Sequence, residues 1–306
     1  MSQGGFKLFF NFKISKSFIA VIFLFLFSVL SCIAYTSAAP TSTKADTSAK
    51  SISLPVIMYH SLLKDERLQG DYVISPELFS SDVRYLKDNG YKIISTQELL
   101  DYCEGKLDLP DKCVMLTFDD GYYNNYLYAY QTAKEENIKF VLSPIAINTD
   151  IQTEAEHLSP SYSHCTWAQL KEMAQSGHVE IMSHSYDMHQ NSTRKGTQIM
   201  PNEHLEKYKS VLSADLTKAQ ERFKEELGIT PIGFTYPFGA VCDEARQVIK
   251  EMGFKLSFSC EEKINTIEAG NPDCLYDIGR YLRNGTDSSK VFFEKILTDK
   301  KQTATA

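Results

Sequence analysis

Eight short apolar runs recur along this chain with helical patterns between them, and that alternation limits the fold more than any other feature. The runs are LPVIMY (54–59), YKIIS (91–95), CVMLTF (113–118), IKFVLSPIAI (138–147), HVEIMS (178–183), PIGFTYPF (231–238), FKLSFS (254–259) and LYDIGRYL (275–282). Such a cadence predicts parallel strands joined by crossover helices. The intervening segments carry helix signals. Ser75-Pro76-Glu77 opens a helix whose apolar residues Leu78, Val83 and Leu86 precede Asn89-Gly90. A second starts near Glu203, sets Leu205, Tyr208, Leu212, Leu216, Ala219, Phe223 and Leu227 along one stripe, and stops at Gly228. The expected fold class is α/β, as a distorted (β/α) barrel of seven to eight parallel strands, with a doubly wound open sheet as the alternative. In both architectures functional groups collect beyond the carboxyl ends of the strands.

The ends of the chain read differently. Phe18 to Leu30 is nearly all apolar, follows Lys7, Lys13 and Lys16, and has no acidic residue before Asp46. Residues 1–39 therefore read as a signal peptide or an N-terminal membrane anchor. Ser37-Ala38-Ala39 offers a cleavage site, and Val29-Leu30-Ser31-Cys32 an imperfect lipoprotein box. The expected location is exported, either secreted or anchored at the extracellular face of the membrane. Residues 40–53, rich in Thr, Ser, Ala and Lys, read as a flexible linker, 54–300 as one folded domain of a monomer, and 301–306 as a disordered tail. With 32 basic against 39 acidic residues the net charge is −7, which argues against a nucleic-acid partner. The seven cysteines contain no CxxC, and their spacing assigns no disulfide pair.

The residues that follow the apolar runs form a selective set. His60 follows the first, Asp119 and Asp120 the third, His184 the fifth, and Tyr236-Pro237-Phe238-Gly239 closes the sixth. His189 lies five residues past His184, so the two rings reach one point only if the chain leaves the strand and loops back. Two neutral imidazoles and a carboxylate suit Zn²⁺ or a similar first-row ion. The adjacent carboxylates invite a division of labour, one on the metal and one accepting a water proton. Alone, Asp-Asp-Gly is an ordinary turn, a strand-end histidine an ordinary hydrogen-bonded residue, and Tyr-Pro-Phe-Gly another turn. Their common position at one end of alternating strands points to a site.

TFDDG at 117–121, the pair His184-Ser185 followed by His189, and YPFG at 236–239 resemble the polysaccharide deacetylase family, also called the NodB-homology or carbohydrate esterase family 4 domain. PVIMYHSL and ISPELFSSDVRYLKDNGYKIIS, with the spaced histidine pair, look like its poly-β-1,6-N-acetylglucosamine deacetylase branch, and the resemblance runs from about Leu54 to Leu297. It implies a NodB-type barrel and a metal-dependent hydrolase that removes N-acetyl groups from an N-acetylglucosamine-containing cell-surface or extracellular polysaccharide. Asp120, His184 and His189 would hold one divalent ion, Zn²⁺ first, with Co²⁺, Ni²⁺ or Fe²⁺ as alternatives. Asp119 would be the general base, and the Phe238 amide, with Tyr236 and Pro237 of the same turn, would meet the oxyanion and substrate. Two family features are missing: a late histidine as general acid and an Arg ahead of the Pro-Phe-Gly turn, where Gly233-Phe234-Thr235 stands instead. The branch implies His60 as the acid, and Arg280 or Arg283 is the candidate to orient Asp119. The competing functions are an O-acetyl esterase of the xylan type and a non-catalytic glycan-binding surface protein.

Overall fold

The structure, a computed structural model, describes residues 50–303. In chain order its strands are β1 (Ser51–Leu54), β2 (Val56–Tyr59), β3 (Ser61–Leu62), β4 (Val73–Ile74), β5 (Lys92–Ile93), β6 (Cys113–Asp120), β7 (Phe140–Pro144), β8 (Val179–Ile181), β9 (Gly233–Thr235), β10 (Leu256–Phe258), β11 (Asn265–Glu268) and β12 (Tyr281–Leu282). The helices are α1 (Pro76–Asp88), α2 (Thr96–Cys103), α3 (Tyr130–Glu136), α4 (Ala146–Thr153), α5 (Trp167–Gln175), α6 (Leu205–Leu227), α7 (Asp243–Glu251) and α8 (Ser289–Thr303). Each of the eight apolar runs contains one strand.

Parallel pairing in the order β12-β2-β6-β7-β8, with β5 also on β6, makes a six-stranded sheet, and β9 pairs with β10 in a second. The expected closed barrel is not seen as a continuous ladder. Between β8 and β9, and between β10 and the approach to β12, single bridges (Ser183 with Phe234, Phe258 with Ile278) take the place of strand pairing. These strands are only two or three residues long, too short to carry a ladder around those corners.

β6 organises the core because all eight of its residues are buried. Side chains alternate across a strand. Val114, Leu116 and Phe118 face one hydrophobic cluster, with Phe79 and Val83 of α1, Ala133 of α3 and Leu170 of α5. Cys113 and Met115 join the opposite cluster, with Val56, Val141, Leu256 and Phe258. Thr117 and Asp119 continue that second face, so the sequence of one strand fixes which way Asp119 points.

Helix ends follow their residues. Ser75 accepts the Leu78 N–H at 3.0 Å ahead of Pro76, and Ser95 and Thr166 form reciprocal capping boxes with Glu98 and Gln169. α6 buries Tyr208, Leu212, Leu216, Ala219, Phe223 and Leu227 and ends at a left-handed Gly228, as the stripe predicts. Leu205 departs from it: as the first residue of the helix, before the chain has turned onto the core, it is 43% exposed.

The boundaries also shift. The signal or anchor segment 1–39 lies outside the described residues, as does most of the linker, and no described helix is long and apolar enough to cross a membrane. The last residues of the expected linker belong to the fold, because Ser51–Leu54 pairs antiparallel with β11. The expected tail also begins too early, since α8 continues to Thr303.

Candidate active site

Register brings the strand-end residues to one level. Tyr59 pairs with Phe118, so His60 emerges beside Asp119, while Asp119 and Asp120 pair with Ser143 and Pro144 of β7. His184 follows β8, and its N–H donates to the Pro144 carbonyl at 3.3 Å. A cavity of about 690 Å³ opens here, lined by His60, Asp119, Asp120, His184, His189 and Phe238 among others.

On a regular strand Asp120 would face away from Asp119. It does not, because its backbone is left-handed, with φ 67°, and Gly121 follows at φ 74°. A Cβ on Gly121 would lie 2.5 Å from the Pro144 Cβ, so only glycine fits this turn against β7. Asp120 thereby meets both histidines, with Oδ1 3.5 Å from His184 Nε2 and 3.3 Å from His189 Nε2. Among the described residues these three are the group placed to hold a metal ion, their ligand atoms lying within 4.8 Å of one another. Asp120 Oδ1 is buried without a hydrogen-bond partner, an acceptor waiting for a cation, so the donor set fits a divalent ion.

The supports around this triad set its chemistry. His184 Nδ1 lies 2.8 Å from the Thr235 carbonyl, to which it donates, leaving Nε2 as the nitrogen facing Asp120. Burial alone would lower the His184 pKa, but the nearby Asp120 and Asp119 carboxylates raise it. Burial likewise opposes ionisation of Asp120, yet the close His184 ring and the imidazoles of His60 and His189 hold its carboxyl below the usual range. The loop from His184 to His189 is clamped by Asp215 of α6, whose two oxygens accept the N–H groups of Tyr186 (2.9 Å) and Asp187 (2.8 Å).

Asp119 has a separate partner. Arg280 grips it in a planar fork, Nη1 to Oδ1 and Nη2 to Oδ2 both at 2.7 Å, with the guanidinium fully buried. The same guanidinium donates to the Ser259 carbonyl at 2.9 Å and to Thr117 Oγ1 at 3.1 Å. Burial pushes the Asp119 pKa up, but the charge and hydrogen bonds of Arg280 bring it below the ordinary value. Arg283, the other candidate, lies elsewhere, paired with Asp82 at 2.8 Å and 3.0 Å.

His60 completes the wall. Its Nδ1 is buried without a partner, and burial lowers its pKa against the pull of Asp119 and Asp120. The Tyr72 ring meets it edge-on with centroids 4.9 Å apart, and its carbonyl accepts from Asn125 Nδ2 at 2.7 Å. Phe238 lines the cavity at φ 57° and lies against His189, ring centroids 4.3 Å apart.

Tyr236 and Pro237, expected to meet substrate with it, do not line the cavity: both are buried, and Tyr236 packs edge-on against Phe234 in the core. The turn must seat its first two residues inside to project the third.

Sequence reasoning missed Asn124, Asn125 and Asp215. Asn124 accepts the Leu62 N–H at 2.9 Å and donates to Ser61 Oγ at 2.8 Å, holding with Asn125 the junction between β2 and β3 where His60 stands. Their signal was two adjacent amides directly after TFDDGYY. Asp215 had one too, an acid set against the apolar stripe between Leu212 and Leu216.

The family described as polysaccharide deacetylase matches residues 106–257. The chain is 24% identical over 261 residues to poly-β-1,6-N-acetyl-D-glucosamine N-deacetylase of Escherichia coli K12, covering 79% of this chain and 38% of that protein, so it spans well under half of that relative. It is 28% identical over 196 residues to the Staphylococcus aureus MRSA252 protein of the same name, 64% of each chain. Among solved structures, IcaB from Ammonifex degensii superposes with a TM-score of 0.65 at 29% identity, over 78% of this chain and 94% of that one. A de-N-acetylase from Aggregatibacter actinomycetemcomitans superposes with a TM-score of 0.68 at 29% identity, over 79% and 99%. With the Asp120, His184 and His189 constellation at the ends of its parallel strands, the chain belongs to the polysaccharide deacetylase family, and its described domain is of the NodB-homology type.

Proposed function

We propose that this chain is a divalent-metal-dependent N-deacetylase of poly-β-1,6-N-acetylglucosamine-type polysaccharide, acting as an exported monomer on glycan outside the cell. The observation that carries the reading is the buried fork of Arg280 on Asp119, set beside the Asp120, His184 and His189 triad in one cavity. A site kept only for binding glycan has no need of a guanidinium fully buried to orient one carboxylate. The charged N-terminal stretch followed by an apolar run supports export.

Asp120, His184 and His189 would hold the ion, which when bound supplies Lewis-acid polarisation of the acetyl carbonyl and a lowered water pKa. Arg280 occupies one direction of each Asp119 oxygen and leaves the remaining lone pairs to accept a proton from the attacking water. The Phe238 amide, presented by the left-handed backbone of its turn, would donate to the oxygen that gains charge. His60, held neutral by burial, would take up the proton that Asp119 removes from the attacking water and pass it to the departing amine, which returns both side chains to their starting states. His60 and Arg280 thus fill the two roles that the family pattern assigns to residues absent here.

The test is acetate release from β-1,6-linked N-acetylglucosamine oligomers by protein loaded with Zn²⁺ or Co²⁺, alongside chitooligosaccharides and acetylated xylan. Release from the β-1,6 oligomers is expected, abolished by chelator, with Asp119→Asn lowering kcat by about 10²–10⁴-fold. An intact rate in Asp119→Asn, or release from xylan alone, overturns the assignment.

A further inference from the structure

All six cysteines of the described residues are thiols, and four of them are engaged apart from one another or fully enclosed. Cys113 and Cys165 are fully buried, Cys242 lies 3.6 Å from the Tyr208 hydroxyl, and Cys260 lies 3.7 Å from the Met58 sulfur. The remaining two face each other. Cys103, the last residue of α2, and Cys274, in the short turn Pro272–Leu275, bring their sulfurs to 3.9 Å although they stand 171 residues apart. We propose that Cys103 and Cys274 are a disulfide-forming pair whose oxidation staples α2 to the segment leading into Arg280.

The backbone is already in place for that bond. The Gly270 N–H donates to the Cys103 carbonyl at 2.7 Å, and the Glu268 N–H points to Cys274 Sγ at 3.4 Å, so both sides of the pair are tied before any oxidation. Cys103 Sγ lies 3.4 Å from each of the Glu268 and Asn271 carbonyls. A disulfide needs sulfurs about 2.05 Å apart, and side-chain rotation can supply the remaining closure of about 2 Å. Access exists too. Cys103 borders a surface cavity of about 660 Å³ with Lys106, Lys255 and Pro272, and Cys274 is half-buried.

The oxidant is a small-molecule disulfide. Cys274 as thiolate attacks it, forming a mixed disulfide and releasing one thiol; Cys103 then loses its proton and attacks the Cys274 sulfur, forming the protein bond and releasing the second thiol. Two cysteine thiols are oxidised and one external disulfide is reduced to two thiols. Burial first, and the neighbouring Cys274 second, push the Cys103 thiol up to about 12, which makes Cys103 the slower, second attacker. The closed loop contains β6 to β11 and, with them, Asp119, Asp120, His184, His189 and Phe238, so the bond constrains the unfolded chain over most of the site.

The experiment incubates the full chain with oxidised glutathione and maps tryptic peptides without reduction. Peptides 93–106 and 264–280 are expected joined, two hydrogens lighter than their sum. Tm should rise by about 5–15 °C over the same protein in dithiothreitol. Cys103→Ser and Cys274→Ser should each remove the cross-link and the redox dependence of Tm; the oxidised-against-reduced wild-type comparison decides the matter if either variant fails to fold. Recovery of both cysteines as thiols or glutathione adducts, a bridge to another cysteine, or a cross-link that leaves Tm unchanged overturns the proposal. None of these readouts depends on deacetylase activity.

Discussion

Asp119 and Asp120 are chemically identical neighbours, and the fold gives them opposite surroundings. Asp119 keeps the strand's inward direction and is met by a guanidinium, whereas Asp120 is turned by a left-handed backbone toward two imidazoles. His60 differs from both in having a buried Nδ1 with no partner, so its neutral form is the one that folding favours. The sign follows from linkage. A histidine whose folded pKa lies below its unfolded value of 6.5 binds its proton first in the unfolded chain, so stability is lost as pH falls through 6.5 toward the folded value. Metal-free wild type should therefore lose more stability between pH 7.5 and 5.5 than His60→Gln, read as the shift in urea midpoint across that interval. Equal shifts in the two proteins would show that His60 is not held neutral by burial.

Strands buried on both faces read as unbroken apolar runs, and a helix buried on one face reads as a stripe of period 3.6 closed by a glycine, so the eight runs, the α6 stripe and its Gly228 stop were legible. The His60, Asp119, Asp120, His184 and His189 set was legible because strand ends are where apolar runs stop. The rest depends on contacts between distant segments. Arg280 reaches Asp119 across 161 residues, and Asp215 reaches Asp187 across 28, and no local period encodes either. His60 and Arg280 also lie outside the matched family span of 106–257, one directly after β2 and the other directly before β12, in a sheet ordered β12-β2-β6. The helix that contributes Asp215 thus has a job beyond covering the core. Asp215→Ala should weaken Zn²⁺ affinity by about 10–100-fold through loosening of the His184–His189 loop, with the fold intact. Competition with a chromophoric chelator measures it, and unchanged affinity would mean that the loop holds its histidines without α6.

The first and last parts of the fold are joined by a second buried ion pair, remote from the chemistry. Asp82 of α1 and Arg283, just past β12, are both fully buried; Arg283 donates its N–H to the Met58 carbonyl at 3.0 Å, and Tyr59 donates its hydroxyl to Asp82 at 3.0 Å. This pair and the Asp119–Arg280 pair look alike, but they answer to different demands. A buried pair that serves only packing is replaceable by apolar groups of similar volume, whereas removing one partner leaves an uncompensated charge in the core. Arg283→Met should therefore cost about 3–5 kcal/mol, read from urea unfolding. Replacing Asp82 as well would still orphan the Tyr59 hydroxyl, at about 1–3 kcal/mol, so recovery needs the triple variant Tyr59→Phe, Asp82→Leu, Arg283→Met. That triple should regain most of the lost stability and retain deacetylase activity. The corresponding apolar replacement of Asp119 and Arg280 can at best regain stability, because it removes the carboxylate proposed above as the base. A single Arg283→Met cost under about 1 kcal/mol, or a triple variant no more stable than the single, would show that Asp82 and Arg283 are not acting as a closed pair across the start and end of the domain.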